Sequence, residues 1–201
     1  MSISDIETVL LDVGGVIYKD AIEPKMRDLA MKYSIPIALL RNEKPSLRRS
    51  VDLGIISEAV FWQKLIEAGG VNCKEDDLDL DRYLLEIPGA TAALELLAKR
   101  YRIALLTNDS VHLALARRSR VPIEITHAFV SAELGLIKPD PEIFRHALRG
   151  IGSPANTCAF IDDTEENVVA ANGLGMIGIR FRSWGETLVQ LGYSGADLAS
   201  Y

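Results

Sequence analysis

The sequence predicts an α/β protein: a doubly wound, Rossmann-like parallel sheet with an all-helical segment inserted after its first strand. Three observations carry that expectation. Five short apolar runs rich in Val, Ile, Leu and Phe recur along the chain, helical patterns separate most of them, and the longest interval, between the first and second runs, contains no convincing strand.

The first run, residues 8 to 12 (TVLLD), ends in Asp12 and is followed at once by the glycine turn VGGV. Residues 19 to 87 carry amphipathic helical stretches instead of strands. These are PKMRDLAMKYS; IALLRNEKPSLRRSVDLG, expected to be cut at Pro45 because proline removes an amide donor; SEAVFWQKLIEAGG, started by Ser57 as N-cap and stopped by Gly69 and Gly70; and a last piece around LDLDRYLLEI. Pro88 and Gly89 read as the returning hinge. From there the alternation is regular: helix TAALELLAKR, strand 102 to 107, helix VHLALARRSR, strand 127 to 131, helix PEIFRHALRGIG, strand 158 to 162, helix EENVVAANGLG and strand 176 to 181. The expected division is residues 1–18 and 88–201 for the core and 19–87 for a helical cap. No internal repeat or low-complexity segment is visible.

Composition narrows the function. A chain of 201 residues, 48% hydrophobic and 25% charged, can bury one domain core with a smaller insert. A net charge of -6 argues against nucleic acid as a partner, despite the local cluster Arg117, Arg118 and Arg120. Cys73 and Cys158 are too few and too far apart for a disulfide framework or a zinc site, and read as buried thiols in a reducing compartment. No apolar stretch has the length of a membrane span, and MSISDIE lacks the blocks of a secretion signal. The expectation is a cytoplasmic protein with no membrane partner; oligomeric state is left open.

Ligands of open parallel sheets bind beyond the carboxyl ends of the strands, and four chemically complementary groups fall at such ends: Asp12, Thr107 with Asn108, Lys138 in ELGLIKPDPEIF, and Asp162 with Asp163 in CAFIDDTEEN. A carboxylate such as Asp12 can attack phosphorus and divide one hydrolysis into two displacements. Mg²⁺ would relieve the repulsion between that carboxylate and a phosphate, held by Asp12, the backbone carbonyl of Gly14, Asp162 and Asp163. Lys138 supplies a compact positive charge, and Thr107 and Asn108 supply orienting donors. The partner this set describes is a small phosphorylated metabolite. Each motif also has an ordinary explanation. Asp163 with Glu166 fits a helix capping box, Asp140 before Pro141 an N-cap with proline at N1, and Asn108 a helix cap. Four in order at strand ends outweigh those.

DVGGV, LLTN, GLIKPDPEIF and FIDDTEEN, in this order and spacing, resemble the four motifs of the haloacid dehalogenase-like hydrolase superfamily. The insert, including GIISEAVFWQKL, resembles the C1-type cap of its phosphatase-rich subgroup, and Asn167 with AANGLGMIGIRF resembles the helix and strand that complete the core. The resemblance implies Mg²⁺-dependent phosphomonoester hydrolysis through an aspartyl phosphate. Asp12 would be the nucleophile, Thr107 and Asn108 the second motif, Lys138 the third, and Asp162 with Asp163 the metal-binding fourth. One departure stands out. The superfamily's phosphatases usually carry a second aspartate two residues after the nucleophile, as general acid and base, where this chain has Gly14, giving a DxGG-type first motif. General acid catalysis is worth about 10² to 10⁴ in rate. Three outcomes follow: a phosphatase acting on a stabilised leaving group such as an anomeric sugar phosphate or acyl phosphate, or one whose proton comes from water or the cap; halide or phosphonate cleavage, the latter needing an imine-forming lysine from among Lys19, Lys25, Lys32, Lys44, Lys64 and Lys74; or a non-catalytic binding or scaffold domain.

Other conspicuous residues read as structural. His112, His127 and His146 lack metal-ligand spacing, and Phe61, Trp62 and Trp184 read as core aromatics. Arg48 and Arg49 could reach an anionic substrate from the insert, but a basic pair on a helix is more often solvated.

Overall fold

The computed structural model describes residues 3–72, 74, 77, 80–194 and 197. Five parallel strands, β1 (Thr8–Leu11), β2 (Arg102–Thr107), β3 (His127–Val130), β4 (Cys158–Asp162) and β5 (Ile177–Arg180), form one sheet in the order β3-β2-β1-β4-β5. The α/β expectation therefore holds, and strand bounds match the sequence reading to within a residue. Central placement of β1 explains its unbroken apolar run. Val9 and Leu11 pack with Ile103, Leu105, Ala159 and Ile161 on one face, and Leu10 packs with Ala104, Leu106, Cys158 and Phe160 on the other.

Helices α1 (Ile22–Tyr33), α2 (Ile37–Asp52) and α3 (Glu58–Glu67) follow β1; α4 (Ala90–Ala98) and α5 (Val111–Arg118) flank β2. A short α6 (Ser131–Leu134), then α7 (Pro141–Ile151), α8 (Glu165–Gly173) and α9 (Trp184–Gln190) complete the described elements. The alternation places α4 and α9 over the Leu11 face, through Leu94, Leu97, Trp184 and Leu188, and α7 and α8 over the Leu10 face, through Ile143, Phe144 and Ala171. Ser57 accepts from the Val60 amide and Asp140 from the Glu142 amide, as their sequence contexts anticipate.

Helices α1 to α3 build a third apolar cluster around Met26, Leu40, Phe61, Trp62 and Leu65, which Leu113 of α5 also joins. Trp62 is fully buried under the Lys25 ammonium, 4.3 Å from its ring centroid, and Trp184 is 2% exposed, so both read correctly as core. The chain leaves β1 and comes back along paired backbone: Tyr18 bridges Glu86, the Lys19 amide donates to the Leu85 carbonyl at 2.8 Å, and the Ile87 amide donates to the Ile17 carbonyl at 2.8 Å. Gly89, with φ of 83°, then caps α4.

Local expectations fail in three places. Pro45 does not cut α2, which runs unbroken through it. Arg41 and Pro45 both face solvent, so water can satisfy the carbonyl the proline leaves unpaired. LDLDRYLLEI shows only a 3₁₀ turn at Asp81–Tyr83, with residues 78 and 79 outside the described set, as is Cys73. Helix α9 was not anticipated, although Ser183 and Glu186 form a start signal: the Ser183 hydroxyl accepts from the Glu186 amide at 3.3 Å. No described helix is long and apolar enough to cross a membrane.

Candidate active site

The site forms where β1 and β4 end side by side. The Asp12 amide donates to the Ile161 carbonyl at 2.9 Å, continuing the ladder by one residue and setting Asp12 beside Asp162, the last residue of β4. Parallel pairing in register is what converts residues 150 apart in sequence into neighbours.

After Asp12 the chain turns sharply. Gly15 has φ of +81°, its amide donates to the Tyr18 carbonyl at 2.7 Å, and a Cβ built on it would lie 2.3 Å from Asp163 Oδ2. Glycine is required there twice over, for the left-handed backbone and for the approach of a carboxylate. Gly14 differs: its φ is not positive, and a Cβ would sit 3.5 Å from Arg117 Nη1, an ordinary contact distance.

Lys138 reaches in from the loop before α7. The residue is 4% exposed, and its ammonium lies 2.8 Å from Asp12 Oδ1 and 2.7 Å from Asp162 Oδ2. The backbone at Lys138 is fixed by Asn108, whose Oδ1 accepts from the Lys138 amide at 2.8 Å and whose Nδ2 donates to the Lys138 carbonyl at 3.0 Å. Asn108 is therefore no helix cap. That task on α5 falls to Ser110, which accepts from the Leu113 amide.

The acidic pair divides its work. Asp162 is fully buried; its Oδ1 accepts from the Thr164 amide at 2.7 Å, and its Oδ2 accepts from the Lys138 ammonium at 2.7 Å and from Asn167 Nδ2 at 2.9 Å. A carboxylate offers about four lone-pair positions, so three donors leave Asp162 one. Asp163 is half-buried and turned toward Gly15; Thr164, not Asp163, is the N-cap of α8. Carboxylate oxygens of Asp12, Asp162 and Asp163 lie within 4.8 Å of one another. An all-oxygen, anionic set of this kind suits a hard divalent cation such as Mg²⁺.

Burial dominates the electrostatics. It pushes the Asp12 carboxyl up to about 6, against the opposing pull of Lys138. Burial works against the Lys138 ammonium, but Asp12 and Asp162 outweigh it and hold its pKa above the ordinary lysine value. Asp163 is also raised, by burial and then by the charge of Asp162.

Beside this cluster opens a cavity of about 320 Å³, lined in part by Gly14, Gly15, Asn108 and Asp163 and, from α2, by Lys44 and Arg48. Thr107 ends β2 at 3% exposed and lines a different, small cleft with Val13, Leu105 and Val130. Lys44 is the member of the insert's six lysines that lines the larger cavity. Arg48 is not solvated: it binds Asp52 at 3.0 Å, Glu58 at 3.0 Å and Asp109 at 2.9 Å. Arg49 is exposed. Asp109 is fully buried and also pairs with Arg117 at 2.7 Å, so it ties α2 to α5. Neither Asp109 nor Arg117 was singled out from sequence as a site residue, nor was Asn167 assigned its contact with Asp162. Only the position of Asp109 directly after Asn108 was a usable signal.

Comparison with known proteins agrees with the geometry. The haloacid dehalogenase-like hydrolase family model matches residues 6–175, and the chain belongs to that family of hydrolases. The sesquiterpene phosphatase astK of Aspergillus oryzae is 40% identical over 63 residues, 31% of this chain and 32% of that protein. A phosphoserine phosphatase of Thermus thermophilus is 33% identical over 138 residues, 63% of this chain and 53% of that one. The chain thus spans about a third to a half of these two relatives. Among solved structures, a HAD family enzyme of Bacteroides thetaiotaomicron superposes with a TM-score of 0.76 at 24% identity, covering 94% of this chain and 99% of that one. Its complex with magnesium and inorganic phosphate gives 0.71 at 22% identity, covering 96% and 98%. At such identities the likeness is one of fold.

Proposed function

We propose that the chain is a Mg²⁺-dependent phosphatase acting on a small phosphorylated metabolite through an aspartyl phosphate at Asp12. The observation that carries this reading is the single ammonium of Lys138 seated between Asp12 and Asp162, with Asp163 completing a carboxylate trio. Names of relatives point the same way, since two are phosphatases.

In this reading Asp12 attacks phosphorus as a carboxylate, forming an O–P bond while the ester P–O bond breaks and the alcohol leaves, taking its proton from water; a second water then bonds phosphorus as the Asp12 O–P bond breaks, releasing phosphate and restoring the carboxylate. Lys138 balances Asp12 during the attack and the phosphoryl oxygens after it, and Asn108 holds Lys138 in place through its backbone. Thr107, at the end of β2, completes the second motif. Asp12, Asp163, Asp162 and the Gly14 carbonyl are the groups assigned to the cation. When bound, Mg²⁺ supplies the charge that lets one anion approach another. Residues 19–87 act as a cap that closes over the cavity and excludes water, on the core of residues 1–18 and 88–201. The cytoplasmic setting belongs to the same proposal and is supported by the chain's two scattered cysteines, too few for a disulfide framework.

Halide removal is disfavoured because it has no use for the acidic pair at residues 162 and 163. The test is phosphate release from a panel of phosphate esters with and without Mg²⁺, beside an Asp12→Asn control. Metal-dependent turnover abolished in the control supports the reading. No release above the control on any substrate overturns it.

A further inference from the structure

We propose that Arg117 occupies the place left by the missing second acid, and that the chain consequently selects phosphoric anhydrides, diphosphate esters or acyl phosphates, over simple alkyl phosphates. This rests on the phosphatase reading above. That place is beside Gly14. No side chain projects there, and the guanidinium of Arg117 fills the adjoining space, with Nη1 3.5 Å from where a Cβ would stand. Arg117 and Gly14 line the same cavity as Asp163.

Arg117 is built to stay there. It is 5% exposed, its Nη1 is anchored by Asp109 at 2.7 Å, and the Tyr18 hydroxyl donates to its carbonyl at 3.1 Å. Yet its donors are not exhausted: Nε is buried with no hydrogen-bond partner among the described residues. Lys44 lines the cavity from α2 and makes no ion pair among the described residues, while Leu113 and Ile22 add apolar wall. The cavity next to the nucleophile thus offers three cations, Lys44, Arg48 and Arg117, and an apolar surface; its carboxylates are Asp20, Asp163 and Asp109, the last held between Arg48 and Arg117, and none stands at position 14.

A guanidinium cannot protonate a departing alkoxide, because it does not give up its proton in the accessible pH range. It can stabilise a leaving group that departs as an anion. With an anhydride, the Asp12 Oδ–P bond forms as the bridging P–O bond breaks, and the electron pair stays on the bridging oxygen. That oxygen becomes part of a phosphate or carboxylate anion, and no proton is needed for its departure. The geometry therefore matches substrates for which a general acid is dispensable.

Four substrates test this: p-nitrophenyl phosphate, glycerol phosphate and, for the anhydride class, acetyl phosphate and an alkyl diphosphate. They are run on wild type, Arg117→Lys and Gly14→Asp, with melting curves as folding controls. The expected result is that wild type favours at least one anhydride over glycerol phosphate by about 10²-fold or more in kcat/KM, the lower end of general-acid catalysis. Arg117→Lys, which keeps the charge facing Asp109, is expected to lose most of that preference while still cleaving p-nitrophenyl phosphate. Gly14→Asp is expected to raise glycerol phosphate turnover. Which anhydride responds separates a diphosphate from an acyl phosphate. Calorimetry supplies a readout independent of turnover: methylenediphosphonate is expected to bind wild type about tenfold or more tightly than Arg117→Lys, the loss of one charge-assisted contact, with methylphosphonate unaffected. If Asp12-dependent cleavage of p-nitrophenyl phosphate is seen but Arg117→Lys scales all substrates equally, the inference fails and the phosphatase reading stands. If no substrate shows Asp12-dependent release, both fail.

Discussion

The ammonium of Lys138 lies 2.8 Å from Asp12 Oδ1, and because the same nitrogen is 2.7 Å from Asp162, one buried cation balances two buried carboxylates. Removing it leaves both acids uncompensated in a site with little access to water. Lys138→Met is expected to cost about 3–5 kcal/mol at neutral pH. Urea denaturation at pH 7 and pH 5 checks this, with a smaller cost at pH 5 because Asp12 is then protonated.

The position of the Asp12 pKa fixes a pH signature. Its folded value, about 6, lies above the ordinary 3.8, so the proton favours the folded state. In metal-free protein this contribution is fully present below about pH 4 and is lost as pH rises through about 6. Mg²⁺ competes with that proton for the same carboxylate. The rise in Tm on adding Mg²⁺ is therefore expected to be larger at pH 7 than at pH 5, and Asp12→Asn is expected to flatten the difference. Scanning calorimetry on both proteins measures it.

Adjacent glycines make opposite predictions. Gly15→Ala forces a Cβ to within 2.3 Å of Asp163 Oδ2 on backbone with φ of +81°. It is expected to lower stability by about 1–3 kcal/mol, the range for strained backbone, and to weaken Mg²⁺ binding by displacing Asp163. Gly14→Ala meets nothing closer than Arg117 Nη1 at 3.5 Å and is expected to leave Tm within a few degrees of wild type. Thermal melts with Mg²⁺ titration of the two variants compare them directly.

Asp109 joins Arg48 to Arg117 at full burial. Asp109→Ala takes from buried Arg117 its carboxylate partner and from Arg48 one of three, and is expected to destabilise by about 3–5 kcal/mol. A double-mutant cycle with Arg48→Met is expected to give a coupling energy above about 0.5 kcal/mol, as for residues in one network. Additive effects would mean that the contact between α2 and α5 contributes nothing of its own.

Much of this was legible in the sequence, for identifiable reasons. Asp12, Thr107 and Asp162 stand out because buried parallel strands are short apolar runs, and a polar residue at the end of such a run is conspicuous. Lys138 was legible through its motif, though not through its anchoring by Asn108, which depends on a loop crossing 30 residues away. Pro45 misled because helix-breaking assumes a carbonyl that water cannot reach. The Arg48–Asp109–Arg117 network was hidden because its members share no period and meet only when α2 packs against α5. The unequal roles of Asp162 and Asp163 were hidden too, since adjacent carboxylates look alike until Asn167 and Lys138 claim one of them.

The central claim is that Asp12 becomes covalently phosphorylated. Rapid acid quench of a single turnover, followed by borohydride reduction and peptide mass spectrometry, tests it most directly, because an acyl phosphate is reduced to an alcohol while a free carboxylate is not. The expected result is homoserine at position 12, formed only with Mg²⁺ and substrate and absent from Asp12→Asn. Phosphate release with position 12 unmodified at every quench time, or reduction at another carboxylate, would contradict it.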